Sequence, residues 1–310
     1  MRVEMSNTQV KLEMTNSKVK VKERKRPGFF QLLFQSPTGT AGLFIVVLVC
    51  ISSLFAPVIA PYDPNAMDLM KITKPPFWME GGSLENILGT DNMGRDILSR
   101  ILYGSQISIV VGVLATLVSG IIGMVLGLVS GYYGGFVDSV IMRIADAIYS
   151  IPGILLAMVA MMVVGRSGII IVVMVIAISS WVMYARLIRS EVLRLKNREF
   201  IKASVTIGTK NFFIMMRHII PNVWSSFIVV STISVAHSIL TESTLSFLGL
   251  GIQQPLVSWG VMLSDGRVHL GTSWWVATFP GLAITIMVLG IMFLGNWMRD
   301  VLDPRNQGIK

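Results

Sequence analysis

Of 310 residues, 53% are hydrophobic and only 14% are charged, with a formal net charge of +9. A mean hydropathy of +0.69 exceeds what a soluble domain of this length can bury, so the chain reads as an integral membrane protein. The positive balance calls for no nucleic acid: a basic membrane protein retains Lys and Arg on one side, and the partner for that charge is the anionic lipid bilayer.

In chain order, residues 1–36 form a tail carrying VKVKERKR that is expected to be disordered. The charged stretch is too long for a signal peptide and the apolar run behind it lacks an A-x-A site. Phe29 to Phe34 predict a short interfacial helix leading into the membrane. A spanning helix needs ~20 residues almost free of charge, and six intervals between charged side chains qualify. They predict spans near 38–60, 105–130, 140–164, 167–187, 222–245 and 276–297 within an all-α transmembrane domain of residues 37–305. Residues 306–310 are a second short tail. Pro61 to Arg100, rich in Pro, Gly and Asn, reads as an ordered extracytoplasmic loop. Small residues in the second span (Gly112, Ser119, Gly120, Gly123 and Gly127) suit close helix packing within the chain.

The distribution of the 26 Lys and Arg sets the orientation. Eight lie in the first tail, eight between Arg186 and Arg217, three at the C-terminus and one at Arg143, against six on the other side. Both termini are therefore expected in the cytoplasm, together with a loop spanning 188–221.

That loop contains REFIKASVTIGTKNFFIMMRHIIPN, residues 198–222. Asn197 can cap a helix from Arg198 to Ile207, Gly208 can stop it in the left-handed conformation, and Asn211 can cap a second helix. Pro221 suits the first turn of the next span. The first helix is amphipathic, with Phe200, Ala203 and Ile207 on one face. Its shape fits a knob for a partner's groove, a helix pair lying on lipid or, more remotely, a DNA-reading element.

Ionisable groups at membrane depth are candidates for function. Glu242, ~30 Å of helix beyond Pro221, can line a path or be held as a structural anion by Arg95, Arg100 or Arg267. His237 is a second path candidate, with an interhelical hydrogen bond as the plainer reading. Asp146 and Arg143 are spaced for a local pair. No phosphate loop, nucleophile elbow, metal-binding His pair or Cys pair is present, and Cys50 stands alone. His218, His237 and His269 share no ligand periodicity, so no metal site and no catalytic residue is predicted.

The loop resembles the EAA loop of importer permeases of the ATP-binding cassette class. Lys202, Ala203 and Ser204 stand at E-A-A, Gly208 at its Gly and Pro221 at its Pro, while Lys202, Ser204 and His218 depart from the pattern. LGTDNMGRDILSRILYGSQISIVVG (88–112), GYYGGFVDSVIMRIADAIYSIPGILLA (131–157), ESTLSFLGLGIQQPLVSWGVMLSDG (242–266) and RDVLDPR (299–305) resemble the dipeptide, oligopeptide and nickel permeases, in particular their second subunit.

The resemblance implies the type I importer permease fold in a bacterial cell membrane. It implies a homologous second permease, two ATP-binding subunits and an extracytoplasmic substrate-binding protein as partners. Glu199, Phe200, Lys202, Ala203, Ser204, Gly208 and Pro221 would then couple to the ATPase. Asp91, Arg95, Asp96, Trp259 and Asp265 become candidates for docking the binding protein. ATP and Mg would be used by the partner subunits, with no cofactor on this chain. Peptide is the first substrate choice, with nickel, a metal-opine chelate or glutathione as alternatives. A membrane-embedded enzyme lacks its nucleophile or metal set, and an ion-driven carrier lacks its paired broken helices.

Overall fold

The computed structural model describes residues 29–302, so the expected disorder of the first tail and the end of the RDVLDPR motif lie outside the described residues. Among the described residues every regular element is helical. α1 (Phe29–Gln35) leads to α2 (Pro37–Leu54), which Ser36 caps by accepting from the Gly39 amide at 3.2 Å, with Pro37 in the first turn where its missing N–H is harmless. A short α3 (Ala56–Ile59) completes this span.

α4 (Ile97–Tyr133) is longer than predicted. Its 37 residues reach ~55 Å, well beyond the ~30 Å hydrocarbon core. Asp96 starts it early by accepting from the Ser99 amide at 2.8 Å and the Ser99 hydroxyl at 2.7 Å. Arg100, whose charge marked the expected boundary, lies inside the helix.

The third span is broken. α5 (Gly135–Tyr149) and α6 (Gly153–Val164) meet at 90° where a single helix was expected over 140–164. Pro152 supplies the reason, since it has no amide for the carbonyl four residues back and its ring crowds that turn. Among the described residues, five helices are long and apolar enough to cross a membrane, or six if this bent pair counts as one.

α7 (Ile169–Lys196) runs on past the expected end and is followed by α8 (Glu199–Thr206). Asn197 does not cap α8. Its side-chain amide donates back to the Leu193 carbonyl at 3.2 Å, and Arg198 takes the cap position without a side-chain bond. Asn211 is no cap either, because its side-chain oxygen accepts from the Tyr132 hydroxyl at 2.9 Å. α9 (Asn211–Ile214), a widened π turn (Met215–Ile219) and α10 (Ile220–Phe247) continue one another. Pro221 therefore lies within a continuous helix instead of opening it, and the π turn just ahead absorbs its ring and missing donor. α11 (Trp259–Gly266) and α12 (Trp275–Leu302) complete the chain.

α4 and α7 form the central pair. A Cβ placed on Gly123 would lie 2.3 Å from the Tyr184 Cβ, and one on Gly127 2.5 Å from the Ala185 carbonyl oxygen. The small-residue stripe of the second span thus brings two helices of this chain into close contact, as read from the sequence. α10 packs on α4 and α12, while α2 lies against α12. Phe44, Leu48, Ile121, Phe136 and Val163 face outward, as side chains in lipid do.

Candidate functional site: coupling helix and extracytoplasmic lock

Four charges are gathered between the loop before α4 and the end of α11. Arg95 Nε donates to Asp91 Oδ2 at 2.7 Å and its Nη2 to Asp265 Oδ2 at 3.0 Å. Arg100 reaches Asp91 through Nη1 and Asp265 through Nη2 at 3.2 Å. Side-chain exposure is 1% for Asp91 and Arg95, 2% for Arg100 and 19% for Asp265. Two cations and two anions thus balance out of water, the condition under which buried charge is tolerated. Asp96 is occupied by its cap and by the Asn86 side-chain amide at 2.9 Å, and Trp259 is buried with its indole N–H on the Ile101 carbonyl at 3.0 Å. The docking role expected of Asp91, Arg95, Asp96 and Trp259 is therefore corrected: they are internal fastenings, and Asp265 shares that network. What the same loops do expose is Met67, Leu69, Met70 and Leu84 on one side and Val268 and Leu270 on the other. On the surface of the first loop, Lys71 donates to Glu85 at 2.8 Å. That hydrogen bond raises the Lys71 ammonium above its ordinary range and holds the Glu85 carboxyl below its own.

Glu242 is 0% exposed, so it lines no open path in this chain. Its carboxylate accepts from the hydroxyls of Ser246 (2.7 Å), Ser258 (2.8 Å), Ser108 (3.2 Å) and Ser243 (3.3 Å). The expected pairing with arginine is also corrected. Arg95 and Arg100 are taken by aspartates, and Arg267 donates to the Phe247 carbonyl at 3.4 Å and lies over its ring. The serines carry the contact outward, Ser246 accepting from the Ile252 amide at 3.0 Å and Ser108 from the Trp259 amide at 3.3 Å. Sequence reasoning missed Ser108, Ser246 and Ser258. Only Ser246, one helical turn beyond Glu242, was legible by spacing.

At the opposite end, α8 stands on one buried side chain. Ile201 packs with Leu195, Ile214, Met215, Ile219 and Val223. Phe200, Lys202, Ala203 and Val205 point away from that core, and Ile207 is 80% exposed. The Ser204 hydroxyl bonds back to the Phe200 carbonyl at 2.8 Å, and Glu199 sits in the first turn, where negative charge suits the helix dipole. Gly208 has φ +80°, the left-handed stop that the sequence predicted. An apolar face held rigidly off the membrane helices, with nothing of this chain upon it, can serve as a knob for a partner's groove.

Elsewhere Asp146 pairs with Arg186 at 2.8 Å across to α7, not with Arg143 one turn away. His237 is exposed on α10 and approaches only Thr241 of the same helix, at 3.5 Å, so the expected interhelical bond is absent. Among the described residues no three His, Cys, Asp or Glu come together as a metal site.

Residues 123–308 match the model of the binding-protein-dependent transport system inner membrane component, and residues 28–76 match the N-terminal transmembrane domain of oligopeptide transport permease C. The chain belongs to this permease family. The permease is 38% identical over 277 residues to the di/tripeptide transport system permease protein DppC of Pseudomonas aeruginosa (strain UCBPP-PA14), which covers 89% of this chain and 91% of that one. It is 43% identical over 270 residues to the glutathione transport system permease protein GsiD of Escherichia coli O157:H7, covering 87% and 86%. It is 39% identical over 264 residues to the oligopeptide transport system permease protein OppC of Bacillus subtilis (strain 168), covering 85% and 84%. The permease is thus a multi-pass membrane transport subunit with the helical architecture that its sequence predicted.

Proposed function

We propose that the permease forms, with a homologous second permease, the path through which a bacterial ATP-binding cassette importer takes up peptides. α8 is its contact with an ATPase subunit. The observation that carries this reading is the geometry of α8: pinned by Ile201, stopped by Gly208 and presenting Phe200, Val205 and Ile207 outward. ATP and Mg belong to the two ATPase subunits, and this chain needs no cofactor. Both termini lie in the cytoplasm of a cell whose plasma membrane holds the complex, in keeping with the Lys and Arg distribution. A substrate-binding protein docks from outside on the exposed apolar side chains of the two outer loops, Met67, Leu69, Met70 and Leu84 with Val268 and Leu270. Di- and tripeptides are the leading substrate because relatives named for di/tripeptides and for oligopeptides both align along most of the chain. Glutathione, itself a tripeptide, is the second reading, favoured by the 43% identical relative.

The test is uptake by cells carrying the complete complex, with radiolabelled dialanine and glutathione offered in parallel, with and without an ATPase disabled at its phosphate-binding Lys. Uptake that requires the intact ATPase supports the reading. Uptake that persists without it overturns the coupling role of α8.

A further inference from the structure

The break between α5 and α6 falls deep in the membrane. α5 spans 15 residues, so the break lies ~22 Å above the start of that helix. His237, 17 residues beyond Ile220 on α10, stands at ~25 Å by the same rise. Helix ends at such depth persist only where protein or a water-filled cavity satisfies their backbone groups. A cavity of about 460 Å³ opens there, its lining including Gly153, Ser179, Ser180, Ser234, His237 and Ser238. That volume is in the range of small-ligand sites.

The two helix ends at the break differ in what they offer. The last carbonyls of α5 are largely used: Asp146 accepts from the Ser150 amide, Ala147 from the Ser150 hydroxyl at 2.7 Å and Ile148 from the Ile151 amide. The first amides of α6 have no such partner, the bonding resuming with Leu156 to Pro152. A Cβ on Gly153 would meet no atom within 4 Å, so this turn faces open space. The side chains agree with the backbone. No Asp or Glu lines the cavity, Ser180 has no hydrogen-bond partner among the described residues, and the His237 ring meets only Thr241, at 3.5 Å. Donors outnumber acceptors and no negative side chain opposes an anion.

We propose that this cavity is an anion subsite that takes the terminal carboxylate of the transported peptide, with the His237 ring and the Ser180 hydroxyl as its side-chain donors. The anion subsite stands on the cavity itself, while its assignment to a peptide rests on the function proposed above. The carboxylate exchanges its water for hydroxyl, imidazole and amide donors, and nothing covalent changes.

The complete complex, with Cys50→Ala in this chain, provides the test. In Ser180→Cys, reaction with the anionic probe sulfonatoethyl methanethiosulfonate is compared with the cationic trimethylammonioethyl probe, each relative to its rate with free cysteine. The expected result is a preference of about tenfold for the anionic probe, of the order a single charge difference produces at ~10 Å in a partly polar site. Adding His237→Ala should reduce that preference severalfold, and Gly153→Phe, which fills open space without a clash, should shield the introduced thiol and lower dialanine uptake. Equal rates for the two probes, or a thiol that stays unreactive in the assembled Ser180→Cys complex, would overturn the subsite. An intact anionic preference in a complex that imports no peptide would remove the peptide assignment and leave the anion subsite standing.

Discussion

Ser258 donates its hydroxyl to Glu242 at 2.8 Å while the same oxygen accepts from the Val261 amide at 3.3 Å, so one side chain both caps α11 and fastens it to α10. The other end of α11 is held through Asp265 by Arg95 and Arg100. This short helix is therefore locked at both ends on the outer face, with a lone carboxylate in one fastening and a balanced set of charges in the other.

The first fastening predicts a graded loss. Glu242→Gln keeps the shape, and the serine hydroxyls can turn to accept from the new amide. Glu242→Ala strips the acceptor from four buried hydroxyls and leaves a void. Unpartnered buried polar groups cost roughly 1–3 kcal/mol each, so the thermal midpoint of the purified complex should fall slightly for Gln and steeply for Ala. Equal midpoints for the two variants would show that the carboxylate holds nothing.

The second fastening should be less forgiving. Asp91→Asn leaves Arg95 and Arg100 with Asp265 alone, and breaking a buried pair costs on the order of 3–5 kcal/mol. Recovery of folded permease should drop sharply. Glu85→Gln, which removes the exposed partner of Lys71, should leave recovery unchanged. Because the Glu85 carboxyl is held below its ordinary range by Lys71, whatever that pair contributes is present at neutral pH and disappears only as the pH falls through the lowered value. Yield measured for the two variants side by side separates these cases.

Gly208 is surrounded by open space, so a substitution there meets no neighbour and acts through backbone strain alone. At φ +80° a β-branched residue is disfavoured. Gly208→Val should insert and fold normally, yet re-aim α8. Peptide uptake and substrate-stimulated ATP hydrolysis should then decline together by a similar factor. Ile207→Glu should produce the same paired loss by placing charge on the exposed face. Wild-type transport in both variants would remove α8 from coupling.

Orientation can be read with single cysteines in a Cys50→Ala background. Leu84→Cys and Gln253→Cys should react with an impermeant maleimide on intact cells, and Thr206→Cys only after permeabilisation. Labelling of Thr206→Cys from outside would invert the proposed topology.

Much of this architecture is local and was therefore legible in the sequence. Apolar length marks spans because backbone amides in lipid have only their own helix to bond. The left-handed stop at Gly208 follows from glycine's lack of a Cβ, and the glycine stripe of α4 announces close helix approach without naming its neighbour. What only the tertiary structure decided was the choice among equivalent partners and the outcome at each proline. Arg95 and Arg100 could serve Glu242 or the aspartates, and the fold places Asp91 and Asp265 within reach while giving Glu242 four hydroxyls. Pro280 lies within α12, Pro221 is carried by a π turn, and Pro152 breaks its span at 90°. The same ring clash and missing donor act at all three. Their consequences differ because the groups that freed backbone can bond, or the cavity it can line, come from helices distant in sequence.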